Sequence, residues 1–452
     1  MPVLVAGIAA IVLLAPAPAL ANRLQLAPAP PSAGDTGAEG ISAIEPGTVD
    51  RSSMALDVRY AVRATLRYES GSISVTADLD VRNTSGEGID RLELNLVPAR
   101  LGDLEIAEVT VDGRAVSPSV EDQTLIVPLG GVLPADQSAT VRVTYDAFLR
   151  QDGAGSNWLF AKGGGTLQLY RWIPWVSRVR DFDRANFGEP FVTTVSPRVE
   201  VVIETDRPMA IATSGRRTAE DGLTQTFVAE RVRDFNVVAS PFYRTSSGTV
   251  DDTRVQVFYR EMSPATLMTL AKRAIARMEP LVGEYPYPTF LVAETTVGYG
   301  MESPGMIWIP STTRAANLPY LVSHETAHQW FYGLVGNDQA SEPFADEAAA
   351  DFLARYTLGA RRASRCPTDR LDGTIYDYQS GCYYEVVYIQ GGNFLDDLRR
   401  RIGDKPFWRA MREYVATNSF ELSGTKRLLD ALDAATRDDL RPAYEPRFPR
   451  YY

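Results

Sequence analysis

The chain has 452 residues, of which 45% are hydrophobic and 23% are charged, the usual balance of a folded soluble protein. This length is enough for two or three domains, each able to bury its own core. The formal net charge of −11 and the lack of a long run of Lys and Arg exclude the basic surface that nucleic-acid binding requires. We therefore expect a globular protein with no nucleic-acid partner.

The first residues predict export from the cytoplasm. Residues 3–14 form an apolar run of signal-peptide length, and Ala-Leu-Ala at 19–21 offers a small-residue cleavage site. No Lys or Arg precedes the run, so the alternative for residues 1–21 is an uncleaved membrane anchor. We expect a secreted or extracytoplasmic protein that touches a membrane only through such an anchor. Residues 22–54 are rich in Ala, Pro, Gly and Ser and predict a flexible linker.

Residues 55–245 predict an antiparallel β domain. Apolar and polar residues alternate there in short segments with many β-branched side chains, and Gly, Asn and Asp separate the segments. This alternation is typical of strands that are buried on one face. The clearest examples are residues 60–66, 72–76, 92–96 and 140–145. The pattern favours a β-sandwich-like fold.

From about residue 260 the pattern changes to helices with a few strands. A helix is predicted over 263–278, with a serine cap and a proline in its first turn. Short strands are predicted over 289–296 and 306–309. Further helices are predicted near 318–333, 341–358, 384–402 and 404–417. The fold class is therefore α+β, in which the β domain precedes a mixed α/β domain at 246–452.

The chemistry-bearing motif is His-Glu-x-x-His at residues 324–328. Residues four apart share one face of a helix, so His324 and His328 can bind the same zinc ion while Glu325 faces the open coordination position. The chain has only two histidines, and both lie in this motif. Incidental histidines on a surface helix would not be concentrated in this way, so the motif predicts a zinc site.

A catalytic zinc ion normally keeps three protein ligands, so a third must come from another element. Glu347 lies on the next predicted helix, with 18 residues between it and His328, a distance that allows a turn and a return. Glu342, Asp346 and Asp351 are competitors for this position. Asp351 lies one helical turn after Glu347, which suits a carboxylate that orients a ligand histidine.

The chain has two cysteines, Cys366 and Cys382. Export would expose them to an oxidising environment, which favours a disulfide. This disulfide would close a loop of about 15 residues and contribute about 3 kcal/mol in the chain-entropy model. The alternative is two unrelated thiols.

The sequence around the His-Glu-x-x-His motif and Glu347 resembles that of the gluzincin zinc aminopeptidases typified by aminopeptidase N. That family has His-Glu-x-x-His, then 18 residues, then Glu, and residues 322–331 and 342–347 are similar to it. The resemblance covers about residues 55–450. It implies that Glu347 and the two histidines hold one zinc ion in a thermolysin-like catalytic domain. It also implies a compact form, without the long helical C-terminal domain of larger members.

Gly300, Met301 and Glu302 resemble the exopeptidase motif of the same family. The resemblance implies that Glu302 binds the free amino terminus of the substrate and that the two residues before it line the substrate site. The motif departs from the family at both ends, because Tyr299 replaces a glycine and Ser303 replaces an asparagine.

Residues 387–391 resemble the segment that carries the catalytic tyrosine of the family. The resemblance implies that Tyr388 donates a hydrogen bond to the oxyanion that forms when water attacks the carbonyl. Tyr383 and Tyr384 are neighbouring candidates, and Gln390 replaces the lysine of the family.

These residues predict a secreted zinc aminopeptidase acting on peptides with a free amino terminus. Glu325 would take a proton from water and later give it to the leaving amine. An endopeptidase is one alternative, and cleavage of N-acetylated peptides would distinguish it. A non-catalytic binding protein with a vestigial metal site is another. A second anchor for the amino terminus, expected near residues 168–174, remains unassigned.

Overall fold

A computed structural model describes residues 42–180, 182, 189–368, 370–378 and 381–452. Residues 1–41, with the predicted signal peptide or anchor and most of the predicted linker, lie outside the described residues. Residues 42–452 form one compact unit. No helix in the described part of the chain is long and apolar enough to cross a bilayer.

The first half of the chain is built from strands, as the alternation predicts. In the first of them, every second side chain from Leu56 to Leu66 is buried. The strands are β1 Leu56–Arg67, β2 Ser72–Asn83, β3 Ile89–Asn95, β4 Glu105–Val111, β5 Arg114–Ala115, β6 Ser119–Glu121, β7 Thr124–Leu133, β8 Ser138–Phe148, β9 Phe160–Gly163, β10 Thr166–Leu169, β11 Trp175–Val176, β12 Ser196–Thr205, β13 Ala210–Thr213, β14 Arg216–Asp221, β15 Thr224–Val232 and β16 Val237–Ser240. A short helix, α1 Val97–Leu101, and a 3-10 turn, Asn157–Leu159, interrupt them.

These strands form three sheets. The largest has eight strands in the order β14-β15-β12-β1-β2-β8-β4-β5, and only its β1–β12 pair is parallel. The other two sheets have four strands each, in the orders β11-β3-β7-β6 and β13-β16-β10-β9. The predicted N-terminal β domain is therefore present.

The second half contains one five-stranded sheet and most of the helices. Its strands are β17 Arg244–Val250, β18 Thr253–Tyr259, β19 Thr289–Thr295, β20 Met301–Ser303 and β21 Met306–Pro310. Its helices are α2 Pro264–Val282, α3 Leu318–Ala327, α4 Ala349–Leu358, α5 Gly391–Ile402, α6 Asp404–Thr417, α7 Thr425–Asp433 and α8 Arg441–Tyr444. The sheet order is β17-β18-β19-β21-β20, so β20 lies at an edge. The predicted α+β class is confirmed, and the domain boundary predicted at 245/246 falls inside β17.

Two helices near the candidate site differ from the predicted ones. The helix predicted near 318–333 ends at Ala327, where tighter i→i−3 bonds replace the helical ones: the amides of Gln329 and Trp330 donate to the carbonyls of Thr326 and Ala327, both at 3.1 Å. The helix predicted near 341–358 begins with a π-helical turn, Phe344–Ala348, before α4. A second π-helical turn, Tyr384–Gln390, precedes α5. Such turns are rare and occur often at functional sites.

The linker predicted over 22–54 is corrected for its described part. Glu45 exchanges two backbone hydrogen bonds of 2.8 Å with Val132. The Asp90 carboxylate accepts hydrogen bonds from the backbone amides of residues 49–51, at 2.7, 2.7 and 3.0 Å. Residues 42–54 therefore lie fixed against the β region. Their composition did not predict this, because most of the contacts use backbone and serine groups, and Ile44 is the one large apolar side chain of the segment that packs against the core.

The predicted disulfide between Cys366 and Cys382 is present. It links the segment after α4 to the residues directly before the π-helical turn Tyr384–Gln390. The Gln390 side chain donates to the backbone carbonyls of Cys366 and Thr368, at 3.1 and 2.9 Å, and reinforces the same link. The disulfide therefore secures the segment that carries Tyr388.

Candidate metal centre

Three buried side chains converge at the end of α3. His324 Nε2, His328 Nε2 and Glu347 Oε2 lie 3.3 Å from one another in all three pairs. A tetrahedral zinc ion with bond lengths of ~2.0–2.2 Å holds its ligand atoms ~3.3–3.5 Å apart. The three atoms therefore form one face of a tetrahedron of the size that zinc requires. The structure thus brings together the three ligands predicted from the sequence.

The hydrogen bonds around these residues fit a metal ion. His328 Nδ1 lies 2.8 Å from Asp346 Oδ1 and 3.0 Å from the carbonyl of Phe331, so these two acceptors orient the ring and turn Nε2 toward Glu347. Glu347 Oε2 is buried and has no hydrogen-bond donor within the described residues. Burial opposes its ionisation, but the two imidazoles hold the pKa of Glu347 below its usual range. An imidazole oriented through its second nitrogen, beside a buried carboxylate oxygen, is an arrangement that suits a metal site.

Asp346 is the carboxylate that orients a ligand histidine. It accepts from His328 and also from Gln339 Nε2, at 2.9 Å. Asp351, to which the sequence assigned this role, is buried elsewhere: it accepts hydrogen bonds from the Tyr320 hydroxyl at 2.5 Å and from Arg355 Nε at 2.7 Å. This corrects the prediction for Asp351. The reason is the π-helical turn, which changes the faces on which successive residues of this segment lie.

The contact between Asp346 and His328 leads to a prediction for Asp346→Asn. The amide can still accept from Nδ1 but carries no charge, so we expect zinc affinity to fall about 10- to 100-fold. Competition with a chelating dye would measure the change. Asp351→Asn is the matched control: it removes a buried carboxylate that contacts neither histidine, so it should lower the free energy of unfolding and leave zinc affinity unchanged. Equal zinc affinity of Asp346→Asn and the parent protein would contradict the assignment.

Glu325 lies beside the ligands, between α3 and strand β20. Its side chain is buried, and burial raises its pKa to about 7. A side chain on Gly300 would collide with the Glu325 carboxylate, so the glycine lets the strand approach the motif helix closely. The Gln329 side chain fixes this approach, because it accepts from the amide of Gly305 at 2.8 Å and donates to the carbonyl of Ser303 at 3.0 Å. Glu325 is thereby held where it can exchange a proton with a group in the cleft.

Strand β20 carries Met301 and Glu302 at the free edge of the five-stranded sheet. Glu302 is buried and accepts a hydrogen bond of 3.4 Å from Gln339, the residue that also contacts Asp346. Burial and the nearby Glu189 carboxylate raise the pKa of Glu302 well above its usual range. A free edge can pair with an extended peptide, and an ammonium group would relieve the repulsion between the two acids.

Glu189 is a site residue that the sequence did not predict. It lines the same cavity as Glu302, and the Tyr170 hydroxyl donates to its carboxylate at 3.0 Å. Glu189 lies in a loop with no helical or strand periodicity, so no local pattern marks it. It lies outside residues 168–174, where a second amine anchor was expected.

Tyr388 lies over the ring of His324, with 5.4 Å between ring centroids and 26° between ring planes. Burial raises its pKa well above the ordinary value, so the phenol remains a hydrogen-bond donor. Tyr383 and Tyr384 line the same cavity, at 5.8 and 4.9 Å from the ring of Tyr388. Of the three rings, that of Tyr388 stacks on a ligand histidine.

Two glycines place the tyrosine segment close to the metal ligands. A methyl group on Gly391 would lie 2.6 Å from the side chain of Ala348, directly after Glu347. A methyl group on Gly392 would lie 2.6 Å from the carboxylate of Asp351. Larger residues at either position would push α5 away from α4, and the Tyr388 hydroxyl with it.

The ligands open onto a cavity of about 430 Å³. Aromatic and acidic side chains make up most of its wall. It is lined by Trp158, Glu189, Tyr299, Gly300, Glu302, Tyr320, Leu321, His324, Glu325, His328, Glu347, Gly381, Tyr383, Tyr384 and Tyr388. The predicted base, the predicted amine anchor and the predicted phenol therefore share one cavity with the metal ligands.

No protein-family model matches the chain. The fold is similar to that of solved M1 zinc metallopeptidases. One from Deinococcus radiodurans is 19% identical, with a TM-score of 0.67, and the match covers 87% of this chain and 93% of that one. A point mutant of a Deinococcus radiodurans M1 zinc metallopeptidase is 20% identical, with a TM-score of 0.68 and coverage of 89% and 96%. A mutant bound to the substrate Tyr-Ser-Ala is 19% identical, with a TM-score of 0.66. At this identity the likeness establishes a shared fold.

Proposed function

We propose that this protein is a zinc aminopeptidase of the M1 type that releases amino-terminal residues from peptides. One observation carries the proposal: a three-ligand centre with zinc spacing opens onto a cavity that also holds a buried base and a pair of acids. The shared fold supports the proposal, because the similar solved structures are named M1 zinc metallopeptidases and one is bound to a peptide. A vestigial site would not need to keep the base and all three ligands.

A zinc ion bound by His324, His328 and Glu347 would lower the pKa of its water and polarise the scissile carbonyl. Glu325 is placed to accept a proton from the attacking water as the water oxygen bonds to the carbonyl carbon. The Tyr388 phenol donates a hydrogen bond to the carbonyl oxygen as that oxygen becomes negative. When the carbon–nitrogen bond breaks, Glu325 returns the proton to the leaving amine.

Glu302 and Glu189 account for action at the amino terminus. Both carboxylates lie in the cavity on the side of strand β20, and a substrate ammonium between them would be paired with negative charge. The cleft would thus hold the first residue of a peptide with its carbonyl at the metal centre. A blocked amine would leave the two acids buried and repelling each other.

The test is hydrolysis of aminoacyl arylamides by the purified protein, with and without a zinc chelator. We expect turnover that the chelator abolishes and that added zinc restores. N-acetylation of the same substrates should abolish turnover, because the ammonium that pairs with Glu302 is lost. Cleavage of acetylated peptides at internal bonds would replace the aminopeptidase with an endopeptidase. Zinc binding without hydrolysis of any peptide would identify a binding protein.

We also propose that the protein acts outside the cytoplasm. The amino-terminal apolar run with its small-residue cleavage site supports export. The disulfide between Cys366 and Cys382 supports it independently, because structural disulfides persist in oxidising compartments. Fractionation of cells expressing the full chain tests this, and recovery of the protein only from the cytoplasm would overturn it.

A further inference from the structure

A second cavity adjoins the metal cavity. Its volume is about 800 Å³, and five residues line both: Tyr299, Gly300, Tyr320, Leu321 and Tyr384. The second cavity also contains three arginines, Arg314, Arg355 and Arg362. The metal cavity, by contrast, has four acids and no arginine or lysine in its wall, so the charged groups of the two adjoining cavities differ.

The chain direction of β20 shows how a peptide would cross from one cavity to the other. Glu302 lines only the metal cavity, whereas Tyr299 and Gly300 line both. A peptide whose ammonium is paired with Glu302 has its first carbonyl at the metal centre. Its following residues then extend past Gly300 into the second cavity. The arginines therefore lie on the side of the leaving group.

The three arginines are held differently. The guanidinium of Arg355 is already engaged in contacts within the protein, because its Nε donates to Asp351 and the group lies 4.4 Å from the ring centroid of Tyr320. Arg362 donates to the Tyr384 hydroxyl at 3.4 Å and lies 5.7 Å from the centroid of that ring. Arg314 is exposed. Within the described residues, neither Arg314 nor Arg362 forms an ion pair with a carboxylate.

The distance to the metal centre fits a short peptide. The ring of Tyr384 lies 4.9 Å from that of Tyr388, which lies 5.4 Å from His324, so two rings separate the ligand from Arg362. These contacts limit the separation of His324 and the Arg362 guanidinium to about 16 Å, and an extended peptide advances ~3.3 Å per residue, so at most about five residues after the scissile bond span it. A peptide of up to about six residues would therefore place its carboxyl terminus near Arg362.

We propose that Arg314 and Arg362 bind the carboxyl terminus of short peptides, so that the cleft selects substrates by both ends. This inference rests on the proposed aminopeptidase function. The acids pair with the ammonium of the substrate, and guanidinium groups pair with its carboxylate, for which their planar donors are suited. The preferred substrates are short peptides with both termini free.

The experiment compares leucyl-glycyl-glycine with its carboxyl-terminal amide. We expect the parent protein to cleave the acid with a kcat/KM about tenfold above that of the amide, the size of one charge-assisted contact near the surface. Arg362→Gln should bring this ratio close to one, and Arg314→Gln should reduce it. Damage to the fold would lower both rates together and leave the ratio unchanged. Calorimetry of acid and amide binding to the Glu325→Gln protein should show the same preference without turnover.

Arg361→Gln is the matched control. Arg361 is the neighbour of Arg362 but lies outside the second cavity, where it pairs with Asp396 and Asp397 at 2.8 and 2.9 Å. Its loss removes the same charge from the same loop, so the ratio of acid to amide should stay at the parent value. An equal fall for Arg361→Gln and Arg362→Gln would overturn the proposal in favour of a general charge effect.

The outcomes separate this inference from the proposed function. No hydrolysis of leucyl arylamide by the parent protein would reject the aminopeptidase itself. Hydrolysis of the arylamide together with equal rates on acid and amide would reject only the carboxylate site. An amide of leucyl-glycyl-glutamate distinguishes the source of the carboxylate: cleavage as fast as that of the acid would assign the arginines to acidic side chains rather than to the carboxyl terminus.

Discussion

Replacing Glu325 with Gln should lower kcat about 10²- to 10⁴-fold while zinc remains bound, because the amide cannot accept or return a proton. The buried position of Glu325 supports this expectation. Its carboxylate faces strand β20 next to Gly300 and contributes no atom to the three that converge on the metal position. The substitution also keeps the size of the side chain, so Gly300 can still pack against it.

Two measurements make the Glu325→Gln result decisive. Zinc content should stay at one ion per chain by metal analysis, and the midpoint of thermal unfolding should stay at the parent value. Lower activity together with lost zinc would mean that Glu325 acts on the metal site rather than as a base. Full turnover with zinc bound would assign proton transfer to another group, and the proposed chemistry would not stand.

The motif could be interpreted from the sequence because its chemistry depends on local spacing. His324 lies in the last turn of α3 and His328 is its C-cap residue, four positions later, so helical geometry alone brings their rings together. The strands of the β domain were predicted for a similar reason, since burial on one face imposes alternation. A structural feature that follows from the repeat of a helix or a strand can therefore be predicted from a single sequence.

The roles of Asp346 and Asp351 could not be separated in this way. Counting along a regular α-helix places Asp351 one turn after Glu347, on the same face. The π-helical turn at 344–348 adds a residue to one turn, so Asp346, next to Glu347, faces His328 instead. The π-helical turn packs closely against Gly391 at the start of α5, which has no side chain to prevent this contact. No local sequence pattern predicts the distortion of the helix.

Glu189 and the second cavity depend on tertiary structure. Glu189 approaches Glu302 across more than a hundred residues of sequence, and its loop has no motif. The arginines come from the segment before α3 and from the segment after α4, which meet only in the fold. The sequence therefore predicted the convergence of the metal-site residues better than it predicted the other residues that line the two cavities.

Glu347→Gln should lower zinc affinity at least about 100-fold, because it replaces a charged ligand oxygen with a neutral one. The two histidines remain, but the ion would lack the third of the three ligand atoms that lie 3.3 Å from one another. Metal analysis after dialysis should find zinc in the parent protein and little in the variant. Activity should return only in part at high zinc concentration.

Thermal unfolding gives an independent measure of the same change. Zinc that binds only the folded state stabilises it by an amount that grows with the ratio of zinc concentration to dissociation constant. At saturating zinc, 100-fold weaker binding should remove about 2.7 kcal/mol of that stabilisation. Glu342→Gln is the matched control. The sequence also allowed Glu342 as the third ligand, but in the structure its carboxylate accepts a hydrogen bond of 2.6 Å from the amide of Thr425. Its zinc-dependent stabilisation should equal that of the parent, whereas an unchanged value for Glu347→Gln would place the third ligand elsewhere.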